Sequence, residues 1–191
     1  MKFSDHNTIA DNDIRFNGRN GILIIESKEC TVMRNYVFSN DRGIMFYDAF
    51  DNKVYHNNIV DSWETQAADI GSANIWDDGY PSGGNYWSDY EDIDQYRGSY
   101  QNETGSDGIW DHPFGMEGDS HDSYPLVEPW TISSDLNRDG IVNIVDVSIV
   151  ARAYGTKLGD ENWNETADMD KNDEINIMDV SIVALDYGKT V

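Results

Sequence analysis

Cysteine is almost missing from this chain. Cys30 is the only one in 191 residues, so no disulfide can form within the chain, and rigidity beyond ordinary packing must come from bound metal. Bases are scarce too: 13 Lys and Arg face 36 Asp and Glu, a formal net charge of -23. Such a surface repels phosphate backbones and anionic headgroups, which excludes nucleic acid as an unassisted partner and makes cations the natural one. Long apolar runs are absent. No run reaches about 18 apolar residues, and the opening MKFSDHNTIADND has no apolar h-region, so the sequence predicts neither a membrane span nor an intact signal peptide. With 39% hydrophobic and 12% aromatic residues the acidity sits on a folded chain, long enough for two domains.

Repetition, at two periods, is what the sequence has in quantity. Over the first 62 residues, Ile9, Val32 and Val54 fall in register, as do Asn12, Asn35 and Asn57, and then Ile14, Val37 and Ile59, at a spacing of 22 or 23. Each unit reads as short β runs with apolar residues at period two, broken by Asn, Gly and Asp. A unit of that size has no core of its own and buries its apolar face only by stacking on the next, which predicts a right-handed parallel β-helix of three coils over residues 1–62. Nothing before His6 resembles a capping element. The first coil is therefore expected to be open, either continuing into coils upstream or meeting another copy of the chain. Residues 63–130 break the period and carry five of the six tryptophans (Trp63, Trp76, Trp87, Trp110, Trp130) among Gly, Pro, Asn and Asp, which predicts an irregular cap packed by aromatics. A linker at 131–134 leads to the second repeat.

That repeat has a shift of 33: DLNRDGIVNIVDVSIVARAYG from Asp135 recurs as DMDKNDEINIMDVSIVALDYG from Asp168. A twelve-residue calcium loop takes oxygens from positions 1, 3, 5, 7 and 12, with a backbone carbonyl at 7 and a sharp turn at 6. The first copy offers Asp135, Asn137, Asp139, the carbonyl of Ile141, and Asp146, with Gly140 at the turn. The second offers Asp168, Asp170, Asn172, the carbonyl of Glu174, and Asp179, with Asp173 at the turn. Asp enters the left-handed conformation less readily than Gly, so the second loop is expected to be the weaker or stiffer site. Asn143 and Asn176, at position 9, are expected to act through water. Hard oxygens in this number select Ca²⁺ over Mg²⁺, and their mutual repulsion without a cation couples metal binding to folding. The fold class read from all this is mainly β: a parallel β-helix stub with an aromatic cap, then a small α-helical module of two calcium loop-helix motifs over 135–191.

Asp rather than Glu at position 12, no incoming helix and one helix after each loop resemble a type I dockerin, over roughly 135–191. The resemblance implies two Ca²⁺ and a cohesin-type partner, docked through helix residues at positions 10 and 11, here Ile144 and Val145 in the first copy and Ile177 and Met178 in the second. The near identity of DVSIVARAYG and DVSIVALDYG predicts pseudo-two-fold symmetry with two docking orientations. Val147, Val150, Ala151 and Tyr154 stand at helical spacing as candidate core, and Gly155 and Gly188 read as helix stops. The coils, followed by GGNYWSDY, GSDGIWDHPF and DSYPLVEPW, are similar to β-helix repeat proteins of the NosD and archaeal surface-protein type, over roughly 1–130. That label covers copper processing and carbohydrate binding or hydrolysis, yet no Cys/Met/His cluster for copper is visible, and His6, His56, His112 and His121 are scattered.

No catalytic set stands out, because Asp is too common for any pair to be informative. Asp107, Asp111, Asp119 and Asp122 are either one more structural Ca²⁺ site in the cap or ordinary turn-forming aspartates. Trp76, Trp87 and Trp110 are either sugar platforms or the cap's own core. NET at Asn102 and again at Asn164 fits the N-glycosylation acceptor and an exterior location. Two readings of function follow. One is a non-catalytic extracellular or cell-surface protein, archaeal in type, tethered through its dockerin, with the β-helix structural or binding a polysaccharide. The other is a piece of a polysaccharide-active β-helix enzyme, or a subunit of a homopolymeric assembly.

Overall fold

The computed structural model describes residues 1–71, 73–131, 134–137, 141–170 and 172–189. The chain divides into two compact units, Met1–Trp130 and Thr131–Val191.

In the first unit the period of the sequence becomes a period of pairing. One coil holds β1 (Thr8–Ala10) and β2 (Asp13–Arg15); the next holds β3 (Asn20–Ile25), β4 (Thr31–Met33) and β5 (Tyr36–Phe38). Then come β6 (Arg42–Tyr47), β7 (Phe50–Tyr55) and β8 (Asn58–Val60), and after them β9 (Thr65–Ile70), β10 (Ala73–Ile75) and β11 (Tyr86–Trp87). Strands pair in parallel only with their counterparts one coil away, giving sheets β1-β4-β7-β10 and β2-β5-β8-β11 and a third that begins β3-β6-β9. This is a parallel β-helix. Ile9 lies against Val32 and Val32 against Val54; Ile14, Val37 and Ile59 form a second row, and all but the first member of each are fully buried. Single residues in the left-handed region make the corners: Asp11, Arg34 and His56 stack at one, Phe16, Ser39 and Asp61 at another.

Pairing does not stop at residue 62, where the repeat fades from the sequence. β9 and β10 continue two sheets directly, and β11 continues the third after the excursion 76–85. The remaining cap strands are β12 (Tyr96–Arg97) and β13 (Glu103–Thr104), an antiparallel hairpin, and β14 (Phe114–Gly115), β15 (Glu117–Gly118) and β16 (His121–Asp122). β14 pairs with β16, while β15 adds to β9 as the start of a further coil.

The corners are held by asparagine ladders. Asn12 donates its backbone N–H and its amide Nδ2 to Asn35 Oδ1 at 3.1 and 2.9 Å, Asn35 does the same to Asn57 at 3.0 and 2.9 Å, and Asn57 to Asn85 at 3.1 and 2.9 Å. The ladder ends on Asp122, whose Oδ2 accepts from Asn85 N at 2.7 Å and from Trp87 Nε1 at 2.9 Å. A second ladder runs from Asn52 to Asn74 and ends on Asp69, which accepts from Asn74 Nδ2 at 2.7 Å and from Trp76 Nε1 at 2.9 Å. Both ladders thus finish on a buried carboxylate that also takes an indole N–H. The chemistry follows from polarity: every rung donates to an acceptor on the next, and a carboxyl oxygen ends the run because it accepts and has no N–H to pass on. Gly84 permits the approach, since a Cβ there would lie 1.9 Å from Asp122 Oδ1.

Trp76 and Trp87 are core residues, 0 and 1% exposed, in an aromatic chain from Phe46 through Trp76, Trp87 and Phe114 to Tyr90. That removes them as sugar platforms. Trp130 stacks on His56 at 4.9 Å, and its backbone N–H and C=O are both bonded to the Asn58 amide.

In the second unit, α1 (Ile144–Ala153) and α2 (Ile177–Leu185) are separated by a short 3₁₀ turn at Glu165–Ala167. The core is Val142, Val150, Ala153, Ala167, Met169, Ile175 and Val183. Ala151 and Tyr154, read from spacing as core, are exposed. The buried stripe is Asp146, Val150 and Ala153, and a one-residue offset turns a side chain by about 100° on a helix of 3.6 residues per turn. Gly155 and Gly188 take positive φ of 84° and 87° just beyond the helices.

Candidate metal centre and docking face

Each helix of the second unit begins with the same device. The Asn143 side chain accepts from Val145 N at 2.8 Å while Asp146 Oδ2 accepts from Asn143 N at 2.8 Å; Asn176 accepts from Met178 N at 2.8 Å and Asp179 Oδ2 from Asn176 N at 2.7 Å. These are capping boxes, in which an N-cap and the residue three later satisfy each other's backbone. Asn143 and Asn176, expected to act through water, also serve as helix caps. Their Nδ2 groups also donate to the Ile141 and Glu174 carbonyls, at 3.0 and 3.2 Å, which orients the position 7 oxygens.

The other oxygen of each position 12 carboxylate reaches back into its loop. Asp146 Oδ1 accepts from Asn137 N at 3.1 Å, and Asp179 Oδ1 from Met169 N at 2.7 Å. Burial pushes the Asp146 carboxyl up, but the N–H groups of Asn143, Asn137 and Leu136 outweigh it and hold the group below its ordinary value. In the second loop, Asp168, Asp170 and Asp179 each bring a carboxylate oxygen within 4.8 Å of the others. Burial and then the charges of Asp179 and Asp168 raise the Asp170 carboxyl. Three carboxylates at that separation repel by roughly 3 kcal/mol per pair at an effective dielectric of about 20, and one Ca²⁺ with ligands at about 2.3–2.6 Å spans the gap between them. The donor set therefore fits a hard divalent cation. Asp173 has φ of 64°, the left-handed turn the loop demands, and Asp168 accepts from its N–H at 3.0 Å. Asn172 Oδ1 accepts from Glu174 N at 2.8 Å. In the first loop Asp135 and Asp146 are buried like their counterparts, Ile141 lies two residues before the α1 N-cap, and Asp139 and Gly140 lie outside the described residues.

The duplication is visible in the backbone. Val142 N donates to Lys189 O at 2.9 Å and Gly188 N to Val142 O at 2.8 Å; 33 residues on, Ile175 N donates to Thr156 O at 2.9 Å and Gly155 N to Ile175 O at 2.7 Å. Each loop is thus stitched to the end of the other copy's helix, which is the pattern of a pseudo-two-fold axis. Ile144, Val145, Ile177 and Met178 occupy the first turns of the helices and are 45–64% exposed, although all are apolar.

The cap aspartates do not assemble. Asp107 caps its own turn through Ile109 N at 3.1 Å, Asp111 accepts from the N–H groups of Gln95 and Tyr96, Asp119 is exposed, and Asp122 ends the asparagine ladder. Among the described residues the Asp168 group is the sole convergence of three His, Cys, Asp or Glu side chains.

A parallel β-helix followed by a pseudo-symmetric, acidic loop-helix module defines a two-part protein, and the comparisons assign each part. Residues 1–92 match the family described as periplasmic copper-binding protein (NosD), and residues 133–185 match the dockerin type I domain. The chain joins a NosD-like β-helix to a dockerin. No curated protein and no solved structure matches it. Dockerin domains bind calcium, and a dockerin implies attachment to a cohesin. Copper does not fit the residues of the β-helix. Cys30 is buried with Sγ against the Ser4 and Lys28 carbonyls, Met33 Sδ faces the Tyr55 hydroxyl at 3.0 Å, and His6, His56 and His112 lie apart, beside Glu29, Ser82 and Asp92. Among the described residues no helix is long and apolar enough to cross a membrane.

Proposed function

We propose that this is a non-catalytic protein of the cell exterior whose dockerin, folded around two Ca²⁺, attaches a structural or ligand-presenting β-helix to a cohesin. The working parts are the coils, the cap to residue 130, a linker at 131–134 and the module 135–191. The observation that carries the reading is the convergence of Asp168, Asp170 and Asp179 at the head of α2, in a loop whose partner copy repeats its buried positions 1 and 12. The ligands are Asp135, Asn137, Asp139, the Ile141 carbonyl and Asp146 in the first loop. In the second they are Asp168, Asp170, Asn172, the Glu174 carbonyl and Asp179. The exposed pairs Ile144/Val145 and Ile177/Met178 are the docking faces, supported by their apolar character at matched positions in the first turns of the two helices.

Calcium titration of the metal-stripped chain tests the first half of this. Two ions per chain and a gain of helical circular dichroism on binding are expected. A helical signal that excess EGTA leaves unchanged would refute the coupling of metal to folding.

A further inference from the structure

The sequence holds two acceptor tripeptides that the pattern alone cannot rank, Asn102-Glu103-Thr104 and Asn164-Glu165-Thr166. Their surroundings differ. Asn164 is half-buried, its side chain accepts from Thr166 N at 3.1 Å, and its carbonyl accepts from Ala167 N at 2.9 Å, so the tripeptide is wound into the 3₁₀ turn. A transferase that needs the amide free must unwind that turn, beside the loop that begins at Asp168. Asn102 sits where the hairpin loop 98–102 enters β13, and Asn102, Glu103 and Thr104 are all exposed. Thr104 lies opposite Tyr96 and Glu103 opposite Arg97, so the last two residues of this tripeptide run extended in β13, with Asn102 at the strand's entrance.

Tyr100 is the second observation. It lies two residues before Asn102 and is 85% exposed, the most exposed large hydrophobic of the chain's described residues. Gln101 between them takes φ of 44°, and its N–H closes a turn on Gly98 O at 2.9 Å. An aromatic ring that is 85% exposed at a loop tip leaves most of its face in water. A pyranose ring has an apolar C–H face of matching size, and covering the ring with it removes both from water.

We propose that Asn102, and not Asn164, is the acceptor of an N-linked glycan, with the Tyr100 ring as the platform for its first sugar. The donor is a polyprenyl (di)phosphate-linked oligosaccharide. Asn102 Nδ2 forms a bond to the anomeric carbon, the bond from that carbon to the lipid phosphate oxygen breaks, and the lipid phosphate leaves while the amide proton passes to a base of the transferase. This rests on the exterior location proposed above. The test imposes that location, so that its failure speaks against the acceptor and not against the location, which fractionation of the source cells addresses separately.

The full chain is routed through the secretory pathway of cells that N-glycosylate, and the product is read by intact mass and glycopeptide mapping. One glycan at Asn102 in most molecules is expected, lost in Asn102→Gln and in Thr104→Ala and unchanged in Asn164→Gln. Tyr100→Ala should lower occupancy at Asn102 at least two-fold. A secreted chain without glycan, or with its glycan at Asn164, overturns the acceptor assignment. Full occupancy in Tyr100→Ala overturns the platform.

Discussion

A buried amide is costly unless all its groups are bonded, and the ladder asparagines meet that condition in full. Asn57 accepts from Asn35 N and Nδ2 and donates to the Val32 and Tyr55 carbonyls and to Asn85. Asn57→Ala leaves several of those partners buried and unsatisfied at about 1–3 kcal/mol each, so a loss of at least about 3 kcal/mol is expected in urea unfolding. Asp122 raises a different question, because burial pushes its carboxyl up to about 7 against the N–H groups of Asn85, Trp87 and Tyr124. An unfolded aspartate titrates near 3.8. Between those values the folded chain holds a proton that the unfolded chain has lost, so stability falls by about 1.4 kcal/mol per pH unit as pH rises, and levels off above 7. Asp122→Asn removes the titration. From pH 5 to pH 7 the native chain should lose about 2 kcal/mol relative to that variant, and an unchanged difference between the two would contradict a raised carboxyl. Of this ladder, Asn12, Asn35 and Asn57 were legible in the sequence because their steps are 23 and 22 residues. Asn85 and Asp122 were not, since the next steps are 28 and 37 and the last rung is a carboxylate.

The same arithmetic explains what was legible among the elements. Coils show in the sequence as long as corners keep one length; once 76–85 enters between β10 and β11, the period disappears while the pairing goes on. The loop-helix motifs were easier, because their ligand positions recur at a fixed shift of 33. What spacing could not show was that position 9 caps a helix, or that the buried stripe runs through Ala153 and leaves Ala151 outside. If the pseudo-two-fold relation of α1 and α2 extends to docking, charge in one apolar patch is tolerated. Val145→Asp should then cost only the loss of one of two equivalent poses, about RT ln 2 or roughly 0.4 kcal/mol. Adding Met178→Asp should cost several kcal/mol, far more than the two singles together. Abolition of binding by either single change would mean one fixed orientation, with the symmetry serving calcium binding alone.

At the scale of the molecule, two units with separate cores make separate claims. Asp135→Ala with Asp146→Ala should remove one Ca²⁺ and leave the β-helix circular dichroism and the emission of the buried Trp76 and Trp87 unchanged, and their loss would show that the units do not fold independently. A net charge of -23 favours cations, and the four apolar residues at the helix starts give a protein partner something other than charge to hold. Attachment through the dockerin is tested most directly by calorimetry of the full chain against a cohesin from the same source, in millimolar calcium and again in excess EGTA. One-to-one binding in calcium that disappears in EGTA is expected; binding of equal strength in both, or none in calcium, would contradict it.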